Sequence, residues 1–336
     1  MRYAFAGTPD FAAWVLKGLA EVGRMPDLVI SQPDRPCGRG RRAATPPAAL
    51  EAQRLGVPCV QTENLNSDEM LDLLRSRKIG TLVVAAFGQI LRARLLESLD
   101  CLNVHASLLP EYRGAAPIQR AIADGKPATG VTIMRITQAL DSGPVALQKS
   151  VSIDLFDDAG SIARTLAWLG AVGLDQVLRG MDDGSVVWTE QAGATTYAQK
   201  LSVVDSNLDI NRPARSVHDQ VRSLSPDIGA RTSSGEVTFK IWRTWPFGEN
   251  GSKPLPPAAL DVAGDPGRIA DVGQRLFVGC AAGAVEILAV QPSGKSRMTA
   301  AEFLRGYRAR LGDNLGAAQG GEAGAKGDCT TMGEIQ

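Results

Sequence analysis

Hydrophobic positions along this chain follow two regimes. Through the first half, short continuous apolar runs stand between stretches of helical spacing, the pattern of buried parallel strands alternating with covering helices. Residues 2–6 read as a first strand, Gly7-Thr-Pro-Asp10 as a turn, and about 11–22 as a helix with Asp10 as its N-cap. Strands are expected at 27–31 and 58–61 and in the apolar run 81–87, with helices over 46–55 and 67–77, the second capped by Ser67. A helix over 115–124 precedes two alternating segments, 130–136 and 145–153, and a long helix over 159–181. Residues 188–211 lose the periodicity. Beyond them come a helix near 213–223, strand-like runs at 236–243, 267–272, 275–280 and 284–290, and a helix over 299–311. Short strands separated by turn residues suggest a small antiparallel barrel.

The expected fold class is therefore α/β, with a Rossmann-like parallel-sheet domain over 1–190 and a linker over 191–211. A smaller OB-like antiparallel β-barrel follows over 212–311. The last stretch, 312–336, has almost no apolar residue and is expected to be disordered. A chain of 336 residues suits two cores better than one.

Composition narrows the class. Hydrophobic content of 44% and charged content of 21% are those of a globular protein, and zero net charge leaves any nucleic-acid contact to a local patch. The five cysteines (37, 59, 101, 280, 329) show no CxxC spacing, which argues against a disulfide framework and a zinc site. No apolar run reaches membrane-spanning length, and the start of the chain does not resemble a signal peptide. A cytoplasmic monomer without metal is the expectation.

Candidate chemistry gathers on 101–105, Cys-Leu-Asn-Val-His. Alternation puts Asn103 and His105 on one side of a strand and at its carboxyl end, where open α/β sheets bind ligands. Pro110 stiffens the following Ser107-Leu-Leu-Pro loop, and Arg113-Gly-Ala-Ala-Pro117 makes a small-residue turn that lets another group approach backbone. Asp141 lies in a loop between two strands. The other histidine, His218, has no acidic or thiol partner at ligand spacing and reads as ordinary surface or core. Upstream, Arg35, Arg39, Arg41 and Arg42 share a stretch rich in Gly and Pro, an exposed cationic loop suited to phosphate. A nicotinamide site at the first turn is disfavoured because Gly7 stands without the rest of GxGxxG.

The string from Asn103 to Ile118 (NVHASLLPEYRGAAPI) resembles the signature of the folate-dependent formyltransferases, in the longer form of the branch that acts on charged initiator tRNA. Similarity extends over about residues 2–311 and is thinner in the second half. It implies transfer of a formyl group from 10-formyltetrahydrofolate to the α-amine of methionyl initiator tRNA. It implies Asn103, His105 and Asp141 as catalytic residues, with folate held by Ser107, Leu108, Leu109, Pro110, Phe87, Gly88, Ile90 and Leu91. Phe87 stands where the family usually has Tyr. The tRNA acceptor end falls to Arg35, Arg39, Arg41 and Arg42, with Arg39 matching a wedge at the first base pair. Two departures stand out: Pro144 replaces the acid that ends the Asp141 motif, and Ser225-Pro-Asp-Ile-Gly229 lacks the family's aromatic residues. Two other readings remain open. One is the same chemistry on an amino-sugar nucleotide, which should lack the arginine loop, and the other is a non-catalytic RNA-binding protein, which would not need Asn103, His105 and Asp141 together.

Overall fold

The computed structural model describes residues 1–37, 42–248 and 254–316. The chain begins with β1 (Tyr3–Gly7), α1 (Asp10–Glu21), β2 (Leu28–Ser31), β3 (Arg35–Cys37), β4 (Arg42–Ala44), α2 (Pro47–Leu55), β5 (Cys59–Gln61) and α3 (Asp68–Ser76). Next come β6 (Thr81–Ala85), α4 (Ala93–Ser98), β7 (Asp100–His105), β8 (Arg113–Gly114), α5 (Pro117–Ala123), β9 (Ala128–Arg135), β10 (Val145–Ser152) and α6 (Ala159–Asp183).

Seven of these strands form one sheet in the order β10-β9-β7-β6-β1-β2-β5. From β7 to β5 neighbouring strands run parallel, and every residue of β1, β2 and β6 is buried, as expected where helices cover both faces. Alternation divides these strands between two cores: Phe5 and Val83 pack with α1 and α6, while Ala4, Leu28 and Leu82 pack with α3. The sheet is mixed rather than wholly parallel. β9 runs antiparallel to β7, and β10 antiparallel to β9.

Local signals explain most boundaries. Ser67 accepts a hydrogen bond from Met70 N–H as the cap of α3, and Asp158 and Ser161 form a reciprocal box at the start of α6. Asp10 is not a cap: it is the first residue of α1, and Pro9 occupies the cap position. At Gly18 a β-carbon would stand 2.7 Å from Ala171 Cβ, so this glycine lets α1 and α6 approach closely. The arginine-rich stretch is framed by a two-stranded hairpin, β3 with β4, rather than by irregular loop alone.

The second part contains β11 (Tyr197–Ala198), α7 (Ala214–Ser223), β12 (Ala230–Ser234), β13 (Val237–Phe247), β14 (Ile269–Val272), β15 (Arg275–Gly279), β16 (Ala284–Pro292), β17 (Met298–Thr299) and α8 (Ala300–Tyr307). β11 pairs with β8, so the segment read as a linker contributes a strand to the first half. The others build an antiparallel sheet, β12-β13-β16-β15-β14, with β17 on β16. Its end strands do not pair with each other. Instead Gly316 N–H donates to Ser233 O at 2.8 Å and Ile269 N–H to Asp313 O at 2.8 Å, so residues 313–316 bridge the two edges. The stretch expected to be disordered from 312 is thus ordered at its start, because those backbone groups satisfy two open strand edges. Residues 317–336 lie outside the described residues.

Candidate active site

β7 is the strand that carries the chemistry. Asn103 lies between Val84 of β6 and Met134 of β9, and His105 ends the strand opposite Thr132. Beyond it the chain is held by polar contacts. Thr132 Oγ1 donates to Ser107 O at 2.6 Å and accepts from Leu109 N–H at 3.2 Å, while Ser107 Oγ donates to Glu111 O at 2.6 Å. The expected stiffness of 107–110 thus comes from a buried hydroxyl as much as from proline.

His105 is 4% exposed. Its Nε2 lies 3.0 Å from Tyr112 O, and a carbonyl can only accept, so the Nε2 proton is fixed there. Nδ1 is then the nitrogen left over. It faces Asp141 Oδ2 at 3.6 Å, within ion-pair range but too far for a hydrogen bond. The carboxylate is placed by other groups: Gly114 N–H donates to Oδ2 at 2.8 Å and Asn103 Nδ2 approaches Oδ1 at 3.4 Å. The tautomer of His105 is therefore set by the Tyr112 carbonyl rather than by Asp141.

Several supports come from residues that sequence reading passed over. Gln191 Nε2 donates to Asp141 O at 2.8 Å and Gly143 O at 2.9 Å, tying the Asp141 loop to the segment before β11. Tyr112 N–H donates to Thr196 Oγ1 at 2.8 Å. Gly114 has φ +116° and its missing β-carbon would stand 2.8 Å from Ala198 O, so glycine is needed for this approach. Ala86, Tyr112 and Asp141 also hold positive φ, strain concentrated where geometry matters.

Asn103, His105 and Asp141 line one cavity, together with Pro9, Asp10 and Trp14 near the start of α1, Gln119 of α5, Gly160 of α6, and Pro226 and Asp227. An amide donor, an imidazole with one unbonded nitrogen and a carboxylate beside it suit a reaction in which an acyl oxygen gains charge and an amine loses a proton. Among the described residues, no group of three or more His, Cys, Asp or Glu is gathered as for a metal ion, and no helix is long and apolar enough to cross a membrane.

Comparison with known proteins shows the family of the chain. The Formyl transferase family model matches residues 1–178, and the Formyl transferase C-terminal domain model matches residues 200–308. The chain belongs to the formyl transferase family. A methionyl-tRNA formyltransferase of Rubrobacter xylanophilus is 49% identical over 91% of this chain and 97% of its own length. Another, from Pelotomaculum thermopropionicum, is 38% identical over 95% and 99%. The solved methionyl-tRNA formyltransferase from Clostridium thermocellum shares the fold with a TM-score of 0.52 at 16% identity, over 75% of this chain and 95% of that one.

The remaining expected residues of this formyl transferase occupy different settings. None of Ser107, Leu108, Leu109, Pro110, Phe87, Gly88, Ile90 or Leu91 lines the cavity just described. Ser107, Leu109, Phe87 and Leu91 are buried, with Phe87 O accepting from Gln32 Nε2 at 2.8 Å. Ile90 is 71% exposed, an apolar side chain in the turn that Gly88 opens with φ +82°. In the arginine hairpin, Arg35 is exposed on β3 and Arg42 contributes its backbone to β4. Arg39 and Arg41 lie outside the described residues.

Proposed function

We propose that the protein transfers the formyl group of 10-formyltetrahydrofolate to the α-amino group of methionyl initiator tRNA, with Asn103, His105 and Asp141 as its catalytic residues. The observation that carries the roles is the split of His105: Nε2 is committed to Tyr112 O at 3.0 Å, and Nδ1 faces the cavity beside Asp141. The donor supplies the formyl carbon that the amine attacks. As the N–C bond forms, the formyl oxygen gains negative charge, and the Asn103 amide is the donor available to it. Nδ1 takes the proton the amine must lose, and the resulting imidazolium is held by Asp141. That proton can then pass to the departing folate nitrogen.

The folate residues fit a planar, partly apolar donor. Exposed Ile90 and the open turn at Gly88 offer a surface next to the end of β6, and Ser107–Pro110 is anchored as a stiff edge next to the end of β7. On the acceptor side, Arg35, Arg39, Arg41 and Arg42 belong to one arginine-rich stretch of the sequence that contacts the tRNA acceptor end, its described ends paired as β3 and β4. Residues 1–190 serve as the catalytic unit in this reading, 191–211 as a strap across it, and the second sheet as support for the RNA.

The test is a competition. Pure protein is incubated with 10-formyltetrahydrofolate, charged initiator tRNA and an amino-sugar nucleotide, and the formylated amine is identified by mass. Formyl-methionine on the tRNA is the expected product. Formylation of the sugar alone would overturn the acceptor assignment.

A further inference from the structure

The cavity has a second wall that formyl transfer by Asn103, His105 and Asp141 does not use. Aspartates 10, 141 and 227 line the cavity, whereas no lysine or arginine does. Asp141 is engaged by Gly114 N–H, but among the described residues Asp10 and Asp227 have neither a hydrogen-bond nor an ion-pair partner. Gln119 Oε1, in the same lining, is a buried acceptor without a partner. Such a wall presents unused acceptors and negative charge, flanked by the aromatic rings of Phe11 and Trp14. An anionic group would be repelled there, whereas a cation with several N–H donors beside an apolar chain fits.

Asp227 is also held in place. Gly160 N–H of α6 donates to Ser225 O at 3.3 Å, and a β-carbon on Gly160 would stand 2.6 Å from Pro226 Cδ. Ser225 Oγ donates to Trp242 O at 2.7 Å. The nearby cation Arg297 stacks on the Trp242 ring at 3.5 Å and hydrogen-bonds Pro226 O, so it is occupied. We propose that Asp227, with Asp10, is the receiving site for the α-ammonium group of the aminoacyl acceptor, holding it before the neutral amine passes to the formyl carbon.

This deepens the formyl-transfer reading and rests on it. Desolvation raises the Asp227 carboxyl to about 6, helped by Asp10 and Asp158 and opposed by Arg297 and Arg164. At about 6 the carboxyl is still mostly charged at pH 7. There an α-amine, which titrates near about 8 in a peptide and lower beside an ester, is still in substantial part an ammonium.

The experiment measures binding, so it does not depend on turnover. Dissociation constants of the full chain are taken at pH 7 for initiator tRNA bearing methionine and for the same tRNA bearing N-acetylmethionine. The parent should prefer the free amine. Asp227→Asn should reduce that preference by about fivefold, the scale of a solvent-exposed charge pair. Asp227→Glu should restore it, and Asp10→Asn should lower it by a smaller factor. An equal preference in the parent and in Asp227→Asn would overturn the proposal whether or not the protein formylates tRNA. Loss of formyl transfer with the amine preference intact would strike the function instead.

Discussion

The two histidines of this chain sit in regions that look alike and work differently. Both are 4% exposed, and each bonds a backbone carbonyl through Nε2: His105 to Tyr112 at 3.0 Å, His218 to Leu155 at 2.9 Å. They part at the other nitrogen. Nδ1 of His218 lies 3.0 Å from Thr244 Oγ1, so the neutral ring is saturated. Nδ1 of His105 has no hydrogen bond and meets a carboxylate in a cavity. Burial therefore does not separate a structural imidazole from a reactive one; unused bonding capacity does. His218 acts as a clasp. It joins Arg222, which donates to Asp154 O at 2.8 Å and Asp157 O at 2.9 Å, and Phe156, whose ring lies 4.7 Å from that of Trp245.

Substitutions should separate these roles, the largest effect first. His105→Ala should lower the rate of formyl transfer by about 10³, and Asn103→Ala by about 10²–10³, with a stability loss of about 1–2 kcal/mol in the histidine variant alone, where the Tyr112 carbonyl loses its partner. His218→Ala should do the reverse. Leaving the Leu155 carbonyl and the Thr244 hydroxyl unpaired should cost about 3 kcal/mol in urea unfolding, with near-normal turnover per folded molecule. If His218→Ala abolished turnover without lowering stability, the contrast would fail.

Acid should sharpen the same contrast. Burial lowers the His218 pKa from 6.5 to about 4, with Leu155 O opposing. The folded state thus binds this proton less readily than the unfolded chain. The His218 contribution is complete above the unfolded value and is lost as pH falls toward the folded one. The difference in unfolding free energy between the parent and His218→Ala should shrink over that window, by up to about 3 kcal/mol. A difference that stays constant from pH 7.5 to 4.5 would contradict the assignment. The smallest effect is expected at Gln191, which acts through the Asp141 loop. Gln191→Ala should reduce kcat by about fivefold with KM for folate nearly unchanged, as read from initial rates. Arg113 donates to Gln191 Oε1 at 2.6 Å, so Gln191→Glu keeps that acceptor but loses the Nε2 donor, and it should not rescue the rate.

How much of this was legible in the chain depends on which groups act. The central strand was placed within one residue because Cys-Leu-Asn-Val-His alternates, and its two polar residues proved to share a cavity with Asp141. Ser67 was readable as a cap, whereas the Asp158–Ser161 box that starts the long helix was not. Strand direction was not, since the pattern of 130–136 is the same whether β9 runs parallel or antiparallel to β7. Helix α4 has six residues and no side-chain cap, so it left no periodic trace. β12, Ala-Arg-Thr-Ser-Ser, is too polar to announce a strand. At the site, the Tyr112 carbonyl and the Gly114 amide act through backbone, which side-chain identity does not reveal. Gln191 lies 50 residues from the loop it fixes.

The most direct measurement of the central claim is nitrogen NMR of the protein labelled in histidine alone, at pH 8, where the two imidazoles give four ring signals and His218→Ala assigns them. A His105 ring that keeps its proton on Nε2 and has an unprotonated Nδ1 is the result expected. A neutral His105 protonated on Nδ1 would mean that the nitrogen facing Asp141 cannot accept the amine's proton, and the account of catalysis would be wrong.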